Sequence, residues 1–214
     1  MQRPQPLADF LACLAASLKA AAEPGSPTAL AVDRAFDRLA TPGTAATPRP
    51  DRAPATQWLA PAFAAAKRGA VAPDRGAAAN LASAFAAIAP GLAWQARTDR
   101  RSSDPNFPNA HANAVIVGAG GLEERSDVRI GASLLAPHTE YPDHSHPPEE
   151  VYIALSSGMW RQNDGPWRAP GPGGLIYNPP NIVHAMLSDA APLLAIWTLP
   201  MSAPSTRPTG QAHG

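Results

Sequence analysis

A single cysteine, Cys13, in 214 residues excludes an internal disulfide and a thiolate metal cluster. It falls in an apolar helical stretch and reads as a small buried hydrophobe. Charged residues are scarce, and 17 basic side chains balance 17 acidic ones. No global field therefore draws the chain to nucleic acid or to an anionic membrane. Long apolar runs are also missing, and none approaches the ~20 residues of a membrane span. The N-terminal run is interrupted by Asp9 and Lys19, so it reads as an amphipathic helix and not a targeting segment; cytoplasm is the expected location. What remains is 45 % hydrophobic residues, enough for a folded core with room for one domain plus an extension.

The chain divides into two unlike halves. Helical patterns cover 6–22 and 28–40, separated by Pro24, Gly25, Ser26 and Pro27, with Ser26 placed as a cap before Pro27. A Pro-, Ala- and Thr-rich stretch at about 41–56 reads as a linker. Helix resumes over 57–68 and 74–89, where alanine dominates. After about residue 110 the texture changes to short apolar runs at 114–118, 128–136, 150–156, 174–178, 183–187 and 193–199. Many short strands between Gly, Pro and Asp punctuation predict a sandwich or barrel. The expected organisation is a helical extension over 1–109, a β-barrel over 110–201 and a disordered tail over 202–214.

The informative segment is PHTEYPDHSHPPEEVYIALSSG, residues 137–158. His144 and His146 are two apart, and in an extended strand such side chains point to one side. Pro147 and Pro148 can turn the chain so that Glu150 rejoins the same interior. His184 opens the apolar run VHAML and supplies a fourth ligand from a facing strand. Three imidazoles and one carboxylate suit a single divalent ion such as Fe, Mn, Zn, Ni or Co, and leave coordination positions open for catalysis. A lone histidine in a strand is usually structural, and His111 and His138 are read that way. The joint pattern H-x-H-x-x-x-E followed by a distant histidine is read as a metal site. Tyr177, Met159 and Met186 are read as core, and Arg129, which alternates within VRIGASLLA, as solvated or structural, with a salt bridge to a carboxylate as its alternative.

At these residues the sequence resembles the cupin superfamily. The first cupin motif is matched by His144, His146, Glu150 and Gly158, and the second by Gly174, Pro180 and His184. With Tyr141 and Tyr152 added, the stretches Y-P-x-H-x-H-P-P-E-E-V-Y and N-x-P-N-I-V-H-A-M resemble the bacterial cupin-type dimethylsulfoniopropionate (DMSP) lyases. The resemblance implies an α+β, mainly β fold: a C-terminal cupin β-barrel (double-stranded β-helix or jelly roll) with an N-terminal helical extension. It implies a metal-dependent carbon–sulfur lyase that cleaves DMSP to acrylate and dimethyl sulfide. The substrate carboxylate would lie on the metal, and Tyr152 would be the base. Tyr141 would orient the substrate or serve as the alternative base. The sulfonium needs an aromatic face, for which Trp160 and Trp197 are the candidates. The alternatives are a dioxygenase or isomerase acting on another small carboxylate, a lyase-like relative with weak DMSP activity, and a non-enzymatic sensor or sugar-binding cupin. Cupins commonly associate, so the resemblance also admits a homodimer.

Overall fold

A computed structural model describes residues 2–47, 50–69, 76–97 and 104–201. The tail expected at 202–214 lies outside the described residues. Four helices come first: α1 (Gln5–Ala21), α2 (Pro27–Leu39), α3 (Leu59–Gly69) and α4 (Gly76–Ile88). Ser26 caps α2 as its position predicts, its hydroxyl accepting from Ala29 N at 3.2 Å. The Pro-rich stretch carries two short strands, β1 (Thr44–Ala45) and β2 (Asp51–Arg52).

The other strands are β3 (Ala93–Ala96), β4 (His111–Val117), β5 (Glu123–Glu124), β6 (Val128–Leu135), β7 (Glu140–His144), β8 (Glu150–Ala154), β9 (Met159–Gln162), β10 (Leu175–Asn178), β11 (His184–Leu187) and β12 (Leu193–Pro200). They form two sheets. The larger runs β1-β5-β4-β6-β12-β8-β10, with β3 added beside β4 and β2 beside β3; the smaller runs β7-β11-β9. The strand β3 is a departure from the sequence reading, which saw no strand before residue 110. Its Ala-Trp-Gln-Ala run lacks β-branched residues and takes its conformation from pairing with Ala112–Ala114 of β4.

Alternation along the large sheet separates two environments. Ile116, Ile130, Ala132, Leu134, Val151, Ile153, Leu194 and Ile196 face the helices. There they share one core with Leu7, Phe10, Leu14, Val32, Leu81 and Phe85. The intervening residues of the same strands, such as Ser133, Tyr152 and Trp197, face the smaller sheet and the cavity between the two sheets. The helical half therefore covers the outer face of the sheet whose inner face carries the site. Among the described residues, no helix is long and apolar enough to cross a membrane.

Candidate metal centre

Three backbone devices bring the predicted ligands together. His144 ends β7 and stands opposite His184, the first residue of β11. Asn181 holds a left-handed conformation (φ 62°) in the turn before His184, and its N–H donates to the carbonyl of His146 at 2.9 Å. Glu150 opens β8 immediately after the Pro147–Pro148 turn.

His146, Glu150 and His184 form the tight group: one donor atom from each lies within 4.8 Å of the others. His146 Nε2 and His184 Nε2 are each 3.3 Å from Glu150 Oε2. His144 is outside that group but beside it, with its ring 4.1 Å from that of His184 between centroids. His111 and His138 are elsewhere. His111 is buried between the rings of Phe107 and Tyr141, and His138 occupies an exposed left-handed turn.

The ring tautomers test whether this set fits a metal. Nδ1 of His144, His146 and His184 lies 2.8, 2.9 and 3.1 Å from the carbonyls of Pro142, Pro148 and Ile182. A carbonyl can only accept, so each Nδ1 carries the proton and each neutral ring presents its Nε2 lone pair. His184 Nε2 is buried without a hydrogen-bond partner, beside a buried carboxylate. Lone pairs facing a carboxylate repel unless a cation stands among them, and backbone-fixed imidazoles are how proteins orient metal ligands. The residues fit one divalent ion.

In the protein without an ion the titration shifts reflect how closely these groups pack. Burial first, and then the closeness of the His184 ring, lowers the pKa of His144 to about 3, which keeps the ring neutral. Burial pushes Glu150 up, but the imidazoles of His146 and His184 outweigh it and lower its pKa to about 2. His146 is raised, first by its hydrogen bond to Glu150. Tyr152 is raised well above a free phenol, by burial first and then by the Glu150 charge.

Several residues at the site gave no signal in the sequence reading. Asn178 is buried and donates to Glu150 Oε2 at 3.1 Å, while Gln162 donates to Asn178 Oδ1 at 2.8 Å. This relay holds the carboxylate from behind. Asn178 begins the N-P-P-N turn, so its place just before the second motif was the available clue. Ser133 donates to Asn113 Oδ1 at 2.7 Å and also lies beside the Tyr152 hydroxyl. Arg97, just past β3, hydrogen-bonds the Tyr141 hydroxyl and lies over the Tyr141 ring. Tyr141 in turn stacks on His144, 4.0 Å between centroids.

One cavity of about 350 Å³ is lined by His144, His146, Glu150, Tyr141, Tyr152 and Trp197 among others, while His184, Asn178 and Gln162 lie off its wall. Trp160, a candidate for the sulfonium, is not on its wall; it packs in the core at 6.1 Å from Tyr152. Trp197 is on the wall, but the guanidinium of Arg129 lies 5.6 Å from its ring centroid. Tyr177 reaches out of the core to donate to Glu149, the residue beside the ligand Glu150.

Two solved structures share this fold. One is of the DMSP lyases RdDddP and RnDddQII, 19 % identical, with a TM-score of 0.64 over 92 % of this chain and 93 % of that one. The other is the DMSP lyase DddQ from Ruegeria pomeroyi, 23 % identical, with a TM-score of 0.63 over 97 % and 99 %. Together with the two sheets they give the α+β, mainly β class with a cupin-type fold. A putative DMSP lyase, DddL, of Cereibacter sphaeroides is 33 % identical over 129 residues. That match covers 58 % of this chain and spans about half, 53 %, of the curated relative. The model of the DMSP lyase family matches residues 28–195, from the start of α2 into β12 and across every residue of the centre, and the chain belongs to that family.

Proposed function

We propose that this protein is a carbon–sulfur lyase that eliminates dimethyl sulfide from DMSP. The observation that carries the reading is that His144, His146, Glu150 and Tyr152 line one cavity in a chain of this family, with His184 grouped behind them against Glu150. The set is His144, His146, Glu150 and His184, and it would hold one divalent ion of the Fe, Mn, Zn, Ni or Co kind. When bound, the ion supplies Lewis acidity and positive charge at a substrate carboxylate.

The protein's own groups then have definite tasks. Tyr152 takes the α-proton as its phenolate. The electrons of that C–H bond form the Cα–Cβ double bond, the Cβ–S bond breaks, and sulfur leaves as neutral dimethyl sulfide with acrylate remaining. Ser133, beside the Tyr152 hydroxyl, favours the phenolate when its single O–H turns from Asn113 Oδ1 to donate to it. Burial and Glu150 raise this phenol in the ion-free protein, so the base works only when cationic charge offsets both. Tyr141, held by Arg97 and stacked on His144, orients the substrate across the cavity.

The test is headspace analysis of metal-loaded protein given DMSP. Dimethyl sulfide should appear, and Tyr152→Phe should reduce it by roughly 10²- to 10⁴-fold with metal content unchanged. Metal-loaded protein that releases no dimethyl sulfide refutes the lyase. Full activity in Tyr152→Phe refutes the base.

A further inference from the structure

We infer that Arg129 is a second anchor for the substrate carboxylate, holding from the cavity rim the acid group that a bound ion would take from the ligand side. This rests on the lyase reading for the identity of that acid. In the register of the large sheet Glu150, Leu199 and Arg129 lie along one line: Leu199 pairs with Arg129 in β6, and β12 runs beside β8 so that Trp197 faces Tyr152. By alternation Arg129, Gly131 and Ser133 project from β6 toward the cavity, and both Arg129 and Ser133 line it. Arg129 is thus two strands from the ligand Glu150, ~10 Å across the sheet.

Its side chain is held there without any polar partner. Among the described residues Arg129 makes no hydrogen bond and no ion pair; its guanidinium rests on the Trp197 ring, 5.6 Å from the centroid. Two glycines make that pose possible. A Cβ on Gly131 would fall within the Trp197 indole, so the missing side chain is what lets the ring lie across β6. Gly118, at φ +116°, leaves room for the stem of Arg129, since a Cβ there would come 3.2 Å from its Cγ. The result is a planar fork with five N–H donors unspent among the described residues, on the rim of a cavity where Glu150 is the only carboxylate in the lining. Such a fork matches a carboxylate with two parallel hydrogen bonds.

The same placement settles the orientation of a zwitterion. Arg129 occupies the indole face that would otherwise attract a sulfonium, and like charges repel there. The substrate therefore presents its carboxylate to Arg129 and turns its sulfonium away from Trp197. As charge builds on the carboxylate during α-proton removal, the fork holds it more tightly, so Arg129 bears on kcat as well as KM.

The experiment is calorimetric binding of propionate and of neutral propionamide to zinc-loaded protein, native and with Arg129→Gln or Arg129→Lys. Neither probe is turned over, so the result is independent of lyase activity. Arg129→Gln should weaken propionate by about 10- to 100-fold and leave propionamide unchanged, with Arg129→Lys in between. Propionate binding within twofold of native in Arg129→Gln, equal losses for both probes, or no propionate binding to the native protein would each overturn the anchor. If the anchor holds and DMSP yields no dimethyl sulfide, the lyase reading alone falls. If DMSP is cleaved and Arg129→Gln is indifferent to propionate, the anchor alone falls.

Discussion

Glu123→Gln should destabilise this protein strongly at neutral pH and progressively less as the pH falls into the acid range. Glu123 is 2 % exposed and sits where three separated segments meet. Its carboxylate accepts from Arg3 Nε at 2.5 Å, Arg3 Nη2 at 3.0 Å, Gly43 N at 2.9 Å and Arg125 Nη1 at 3.0 Å. Arg3 also reaches Leu39 O, and Arg125 reaches Arg38 O and Asp127, so this carboxylate ties α1 and the end of α2 to the sheet. An amide keeps the shape but loses the charge, and it turns one acceptor into a donor aimed at a guanidinium or an N–H. Two charge-assisted bonds at ~1–2 kcal/mol each, after discounting for the partly exposed arginines, give a loss of about 2–4 kcal/mol. Burial raises the pKa of Glu123, but the Arg3 and Gly43 bonds and the Arg125 contact outweigh it, and the net shift is downward. A depressed carboxylate contributes stability above its unfolded pKa of about 4.3 and loses it as pH falls through the folded value. Urea unfolding at pH 7 should therefore show a midpoint lower by roughly 1–2 M for Glu123→Gln, at a slope near 2 kcal/mol/M. The difference should narrow progressively as the pH falls below about 4 and be clearly smaller at pH 3. A loss below about 0.5 kcal/mol at pH 7, or a difference as large at pH 3, refutes the argument.

Three further outcomes follow from the centre and its supports. His184→Ala should purify with much less than one bound metal per chain by elemental analysis, whereas His111→Ala should keep its metal. Asn178→Ala removes the donor behind Glu150 and should weaken metal affinity by about 10- to 100-fold in a chelator competition. Gly131→Ala drives a methyl group into the Trp197 indole; it should cost about 1–3 kcal/mol in denaturation and shift tryptophan emission as the ring moves.

The parts of the fold that were legible are those with a physical period or a required residue type. Ser26 and Pro27 announced the start of α2, and the apolar runs read after residue 110 became strands with ends shifted by at most three residues. The pattern from His144 to Glu150 carried its own geometry, because a spacing of two in a strand puts side chains on one face. What was not legible came from long-range pairing. The strand β3 is Ala-Trp-Gln-Ala, which on propensity alone suits a helix better, and only the edge of β4 makes it a strand. With β3 came Arg97, which no local pattern joins to Tyr141, 44 residues away. The relay Gln162–Asn178–Glu150 likewise crosses strands, and amides in turns leave no periodic trace.

The aromatic residues show why composition misleads about a cavity. Trp160 and Trp197 look alike in sequence, each inside a short strand beside an apolar neighbour. Their neighbours across the sheets separate them. Trp160 in β9 faces Met186 of β11, which draws it into the core beneath Tyr152. Trp197 faces Gly131, and the empty space over a glycine lets the indole lie flat along the cavity wall. Once flat, it offers a π-face, and the nearest cation to claim it is Arg129 on the same strand as that glycine. A residue with no side chain thus decides where a ring lies, the ring decides where a guanidinium rests, and the guanidinium decides which end of a zwitterion can approach. An arginine whose sequence reading favours a solvated or structural role over a carboxylate partner becomes, on this inference, the cation that receives the acid at the rim.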